Sequence, residues 1–234
     1  FAITHFFNPP RYMRLLEIVV GPETRDEVWS SLSQFIAIQL GKEVVRCKDT
    51  PGFIANRIGI FWSMIATQTA FNMGLSVEEA DAIVGRPMGI PKTGIFGLMD
   101  LTGIDLKDHV LASMKASLSE KDPFHQHFDP THPLNPLTKK MVAEGYIGRK
   151  GKGGFYRLVG KGDNKKKEVI DFATGKYRAL NKPSLESVRA ARNGLRALVE
   201  YDDKGGAFAW QVITNVLKYA ADLIPEIADD IVAV

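Results

Sequence analysis

The order of apolar segments in the first 50 residues constrains this chain most. RLLEIVVG (14–21) reads as a strand, entered through Pro9-Pro10 and Tyr12-Met13 and ended at Gly21-Pro22. A helix follows from about Arg25 to Leu40, with Val28, Trp29, Leu32, Phe35, Ile36 and Leu40 on one face, and KEVVRC then returns as a strand. Such a helix needs a sheet to cover, and two or three strands alone are marginal. The segment therefore reads as the tail of an α/β sheet. The opening FAITHFFNPP, with no polar lead-in, reads as a strand interior to that sheet, and the missing beginning predicts a portion upstream of Phe1.

The pattern changes at KDTPGFIANRI. Asp49 or Thr50 can cap a helix, Pro51 suits its first turn, and Gly74 follows its last position, predicting a helix over about 51–73. Phe53, Ile54, Ile58, Phe61, Trp62 and Ile65 form its apolar side over a polar complement of Asn56, Arg57, Gln68 and Asn72. Ser76 and Glu79 predict a capping box for a shorter helix. GRPMGIPKTGIFGLMDLTG is a Gly/Pro-rich connection, and a helix over about 105–118 would bring Asp105 and His109 onto one face. Residues 121–136 read as loop, 137–144 as a short helix and 155–178 as a two-stranded ribbon. Helices are expected near 184–200 and 207–223, with one more from Pro225.

The stretch AFAWQVITNVLKYAADLIPEIADDIVAV echoes GFIANRIGIFWSMIATQTAFNMGLSVEEADAIV: a long helix opened by an aromatic, then a short one holding Ala-Asp-x-Ile-Val at Ala80–Val84 and Ala228–Val232. Chance or duplication would produce this echo. Duplication predicts a second helical repeat over 184–234, truncated before the counterpart of the Gly/Pro loop.

Several classes are excluded by composition. A formal charge of +3 falls short of the density a phosphate-backbone binder carries, and regular aromatic interleaving is missing, so no nucleic-acid partner is expected. The single Cys47 excludes an internal disulfide framework and a four-cysteine metal site, and it fits a reducing, cytoplasmic compartment. No apolar run reaches the length of a membrane span. His125, His127 and His132 lack a patterned acid nearby, so no metal site is expected there. The run RKGKGGFYRLVGKGDNKKKEV, with eight Lys/Arg against two Asp/Glu, reads as a solvated hairpin tip, with ligand phosphates, an RNA backbone or an anionic membrane as alternatives.

Candidate chemistry begins at His5, either a satisfied structural residue or a base active near neutral pH. Glu17 interrupts LLEIVV, where a carboxylate is costly to bury without partners. If the two strands pack side by side, Glu17 holds one imidazole nitrogen and raises the basicity of the other; on an edge strand it would face solvent. Asn8 is a turn residue or a donor, and Asn56 a solvent-facing helix residue or a donor near a helix N-terminus.

HFFNPPRYMRLLEIVVGPET followed by KDTPGFIANRI closely resembles the L-3-hydroxyacyl-CoA dehydrogenase family. MGIPKTGIFGLMDLTGID resembles the family's Gly/Pro-rich helical segment, and GYIGRKGKGGFY its glycine-rich turn. The resemblance covers residues 1 to about 157, and the tail from 184 resembles the second helical repeat of the large, multidomain branch.

The resemblance implies a mainly α-helical chain in four parts. Residues 1–49 would be a remnant of a Rossmann-type NAD-binding α/β domain, 50–157 the helical C-terminal domain, 158–183 a basic hairpin and linker, and 184–234 the start of a second repeat. It implies oxidation of a (3S)-3-hydroxyacyl-CoA to the 3-oxoacyl-CoA with NAD, in fatty-acid β-oxidation. His5 would be the catalytic base and Glu17 its partner, with Asn56 and Asn8 on the substrate. The family's upstream serine and its GxGxxG turn have no counterpart; GKGGF (151–155) lies among Lys and Arg instead. The chain alone is thus expected to bind no NAD and to be inactive. Self-association, or packing against further domains, would cover its apolar faces. The runner-up is a non-catalytic helical interaction module that shapes the acyl-CoA cleft.

Overall fold

The computed structural model describes residues 1–160 and 162–234; Lys161, in the basic run, lies outside them. The chain divides into two compact units, Phe1–Ile60 with Leu217–Val234, and Phe61–Val216.

In the first unit, strands β1 (Ala2–Phe6), β2 (Leu15–Val20) and β3 (Glu43–Cys47) form one sheet in that order. β1 runs antiparallel to β2, and β3 runs parallel to it after the crossover helix α1 (Asp26–Gln39). Among these three strands β1 stands at one edge and is only half buried. The interior strand is β2, where Leu16, Glu17, Ile18 and Val19 are all buried, as a near-continuous apolar run on a two-sided strand requires. Leu16 and Ile18 pack on Ile36 of α1, with Trp29 and Leu32 beside them. Phe35 and Leu40, assigned to the same face from their spacing, are 54% and 44% exposed.

Helix α2 (Ala55–Asn72) starts four residues later than its proline implied. Pro51–Ile54 instead form a turn in which Gly52 and Phe53 take positive φ, and this turn delivers the helix start to a side chain of β2. Arg57, expected among the polar residues of the outer face, is fully buried. Its guanidinium donates to the Tyr219 hydroxyl (2.7 Å), the Pro51 carbonyl (3.2 Å) and Glu226 (3.2 Å), tying the 217–234 segment to the helix start. Lys48 adds its backbone N–H to the Ile227 carbonyl and an ion pair to Asp229.

The second unit holds the larger core. Helix α3 (Val77–Ile83) opens with the expected capping box between Ser76 and Glu79. α4 (Gly94–Thr102) begins where the Asp81 carboxylate accepts the N–H groups of Phe96 (2.8 Å) and Gly97 (3.0 Å). α5 (Lys107–Ser117), α6 (Phe124–His127) and α7 (Leu134–Ala143) follow. Asp105 lies before α5 and pairs with Lys150 at 2.9 Å rather than with His109.

The expected two-stranded ribbon is a three-stranded antiparallel sheet, β4 (Tyr156–Val159), β5 (Lys166–Ile170) and β6 (Tyr177–Ala179). A third strand joins because Asp171 accepts from Thr174 and turns the chain back after β5. Short helices α8 (Glu186–Ala190) and α9 (Leu195–Val199) lead to the long α10 (Lys204–Asp222). No α-helix starts at Pro225, and the two Ala-Asp-x-Ile-Val stretches fold differently. Asp81, in α3, bonds the first N–H groups of α4, whereas Asp229 is a surface ion-pair partner, and Ile231–Ala233 form a single 3-10 turn.

Candidate active site

The strand register places His5 directly opposite Glu17, so both side chains leave the same face of the sheet. Nδ1 of His5 lies 2.6 Å from Oε2 of Glu17. The carboxylate is 1% exposed and the imidazole 27%, leaving the buried partner to hold the ring and the other nitrogen, Nε2, free of it. Edge-on contacts with Phe7 (4.8 Å between centroids) and Phe53 (5.6 Å) fix the ring from two sides.

The second oxygen of Glu17 explains the late start of α2. Oε1 accepts the N–H groups of Ile54 (3.1 Å) and Ala55 (2.8 Å), so the carboxylate caps the helix from a neighbouring strand. These N–H groups have no partner inside a helix and favour negative charge, which offsets the cost of burying Glu17. This use of the carboxylate was missed in the sequence; its signal is the Pro-Gly pair before FIAN, which permits the turn. Beside it, burial and then the charge of Glu17 push the Cys47 thiol up to about 12, which keeps it protonated and unreactive.

Asn56 follows Ala55 in the first turn of α2 and is exposed. Asn8 is exposed in the bend after β1, ahead of the cis bond to Pro9. Among the described residues, neither amide has a hydrogen-bond partner. The structure therefore brings His5 and Glu17 together and puts Asn56 at the helix end that Glu17 caps.

The histidines of the 121–136 segment are spread over separate contacts. His132 Nε2 meets Asn72 at 3.1 Å, His125 Nε2 the Ser119 carbonyl at 3.0 Å, and the His127 ring packs on Phe61. Among the described residues no group of three or more His, Cys, Asp or Glu could hold a metal ion.

The glycine-rich turn is folded around a carboxylate of its own. Asp100 accepts the N–H groups of Phe155 (2.7 Å) and Tyr156 (2.8 Å), and its carbonyl takes that of Arg149. A Cβ on Gly154 would stand 2.0 Å from Asp100 Oδ1, so glycine is required for this approach. The β2–α1 connection does not suit a dinucleotide either. β2 passes to α1 through Gly21-Pro22-Glu23-Thr24-Arg25, and α1 opens on Asp26 and Glu27, whose charges oppose a pyrophosphate.

A strand-borne histidine is held by a buried carboxylate in a short α/β unit, and a larger, mainly helical unit makes up most of the remaining chain. Residues 1–50 match the family model described as the 3-hydroxyacyl-CoA dehydrogenase NAD binding domain, and residues 52–158 the model of that enzyme's C-terminal domain. The chain belongs to the 3-hydroxyacyl-CoA dehydrogenase family. A Rickettsia prowazekii protein provisionally named a fatty acid oxidation complex trifunctional enzyme is 38% identical over 99% of this chain and 31% of its own length. The chain thus spans about a third of the curated relatives it matches first. Of solved structures, Mycobacterium tuberculosis FadB2 is 30% identical with a TM-score of 0.55, over 67% of this chain and 51% of that one. The 3-hydroxybutyryl-CoA dehydrogenase of Escherichia coli K12 shares the fold over 96% of this chain and 57% of its own, at 21% identity and a TM-score of 0.60. Among the described residues no helix is long and apolar enough to cross a membrane.

Proposed function

We propose that this chain is the base-bearing part of an L-3-hydroxyacyl-CoA dehydrogenase that oxidises a (3S)-3-hydroxyacyl-CoA to the 3-oxoacyl-CoA in fatty-acid β-oxidation. The observation that carries this reading is the 2.6 Å contact between His5 and Glu17, with Nε2 of the ring left for substrate. His5 takes the proton of the 3-hydroxyl on Nε2. Glu17 orients the ring through Nδ1 and stabilises the imidazolium that forms. Asn56 donates to the oxygen as it becomes a carbonyl, and Asn8 lies on the substrate side of the same strand end. NAD supplies the hydride acceptor in the whole protein, and this chain's own part is the proton.

Along the chain we assign 1–49 to the α/β domain, 50–157 to the helical domain, 158–183 to a basic hairpin and linker, and 184–234 to a second repeat. The family matches at 1–50 and 52–158 support the first two. A protein partner, either a second copy or a further domain, covers the outer side of α1, where Phe35, Ile38 and Leu40 are exposed. The unpaired Cys47 and bacterial relatives support a cytoplasmic location.

The test is His5→Gln in the whole protein. Loss of turnover with acyl-CoA binding kept is the expected result, and unchanged turnover would refute the assignment.

A further inference from the structure

The helical unit contains a cavity of about 1160 Å³ that has no part in the histidine site. It lies between α3, the loop before α4, the glycine-rich turn and β4–β5, and its charge is lopsided. Arg86, Lys92, Arg149, Lys152, Arg157 and Lys167 line it. Three acids also line it, but each is already engaged. Glu78 is held by both terminal nitrogens of Arg178, at 2.6 and 3.1 Å. Asp81 accepts Phe96, Gly97 and the Tyr156 hydroxyl, and Asp100 accepts Phe155 and Tyr156. Among the described residues, Arg157 is the one lining cation with a carboxylate partner, Glu168.

Of the remaining cations, Arg86 and Lys92 lie ahead of α4, and Arg149, Lys152 and Lys167 lie in the basic run 149–169, so two stretches far apart in the sequence bring positive charge to one hollow. Two are occupied weakly. Lys152 donates to the Glu144 carbonyl, and Lys167 lies over the Tyr156 ring. Arg86, Lys92 and Arg149 are exposed, and none of them forms an ion pair among the described residues, although the charges of Arg149 and Lys167 act on Asp100. Between the cations the wall is apolar, with Pro87, Pro183, Val188 and Leu158, the last 65% exposed. Unpaired cations around an apolar floor suit a ligand with concentrated negative charge and a flat, weakly polar body, and the volume is of the order that holds a small molecule.

We propose that this cavity binds a phosphorylated adenosine, its phosphates on Arg86, Lys92 and Arg149 and its base over the Leu158 and Val188 floor. Free adenine nucleotides and the nucleotide end of CoA share this chemistry. The proposal does not rest on the role of His5.

Calorimetric titration of the protein with ADP, CoA and inorganic pyrophosphate tests it, alongside Lys92→Glu and Arg149→Glu, two exposed positions whose folding is checked by circular dichroism. ADP or CoA should bind saturably, more weakly at high salt, and roughly tenfold more weakly in either variant. CoA binding more tightly than ADP would assign the site to the CoA nucleotide, and equal affinities to free nucleotides. His5→Gln should leave the ADP isotherm unchanged. No saturable heat, affinity indifferent to both charge reversals, or pyrophosphate binding as tightly as ADP would overturn the proposal.

Discussion

Glu17 is bound to His5 through one carboxylate oxygen and to the first N–H groups of α2 through the other. Orientation of the imidazole and the start of the helix therefore depend on one buried charge.

Replacing Glu17 by Ala should consequently damage stability as well as chemistry. It leaves the Ile54 and Ala55 N–H groups without their acceptor, at a cost of about 1–3 kcal/mol for each buried unsatisfied group. Urea unfolding followed by circular dichroism should show the lower midpoint. Glu17→Gln keeps an oxygen for the helix but loses the charge facing His5, so it should retain most of the midpoint while turnover in the whole protein falls.

For His5→Gln the expected fall in kcat is about 10²–10⁴-fold, the usual contribution of a positioned base. Stopped-flow absorbance of the nicotinamide measures the rate, and the KM for acyl-CoA should change little.

Gly154→Ala should destabilise the helical unit. Its methyl group would meet Asp100 Oδ1 at 2.0 Å, and relief requires breaking the bonds that carboxylate makes to Phe155 and Tyr156. Overpacking of this kind costs about 1–3 kcal/mol, and thermal melting would register it. Gly162→Ala, where a new Cβ meets nothing within 4 Å, should cost less and serves as the control, although its φ of +56° adds some strain.

The two buried aspartates of this unit predict a pH dependence. Burial pushes Asp81 up to about 7 and Asp100 up to about 6, against the opposing pull of their hydrogen-bond donors. A carboxyl group raised in the folded state binds its proton more readily there than in the unfolded chain. Its contribution is fully present below the unfolded value, near 4, and is lost as pH rises through about 6 for Asp100 and about 7 for Asp81. Carbon-detected NMR titration of the carboxyl groups should find both midpoints well above ordinary aspartate. Asp81→Asn should flatten the fall in unfolding midpoint between pH 5 and pH 7.

Much of this was legible in the residues because local chemistry and packing agreed. A carboxylate inside LLEIVV required a partner, and the antiparallel register of β1 and β2 supplied His5. The Ser76–Glu79 box was readable because both halves lie three residues apart. Other features depend on contacts far along the chain. The start of α2 follows Glu17 rather than its own proline, and Arg57 is buried by Tyr219 and Glu226, more than 150 residues away. The stretch after Pro225 has the composition of a short helix. Its aspartate nevertheless meets Lys48, where Asp81 in the first stretch meets two backbone N–H groups of α4.

The shared carboxylate also sets the smallest transplantable part. Grafting HFFNP onto another sheet would carry the histidine but leave its ring unheld, and adding the glutamate strand would bury a charge with half its partners missing. A working graft needs β1, β2 and the PGFIAN turn together, although some 30 residues separate the last two. An enzyme designer who counts only the side chains facing substrate would omit the turn, and with it the reason the glutamate can be buried there.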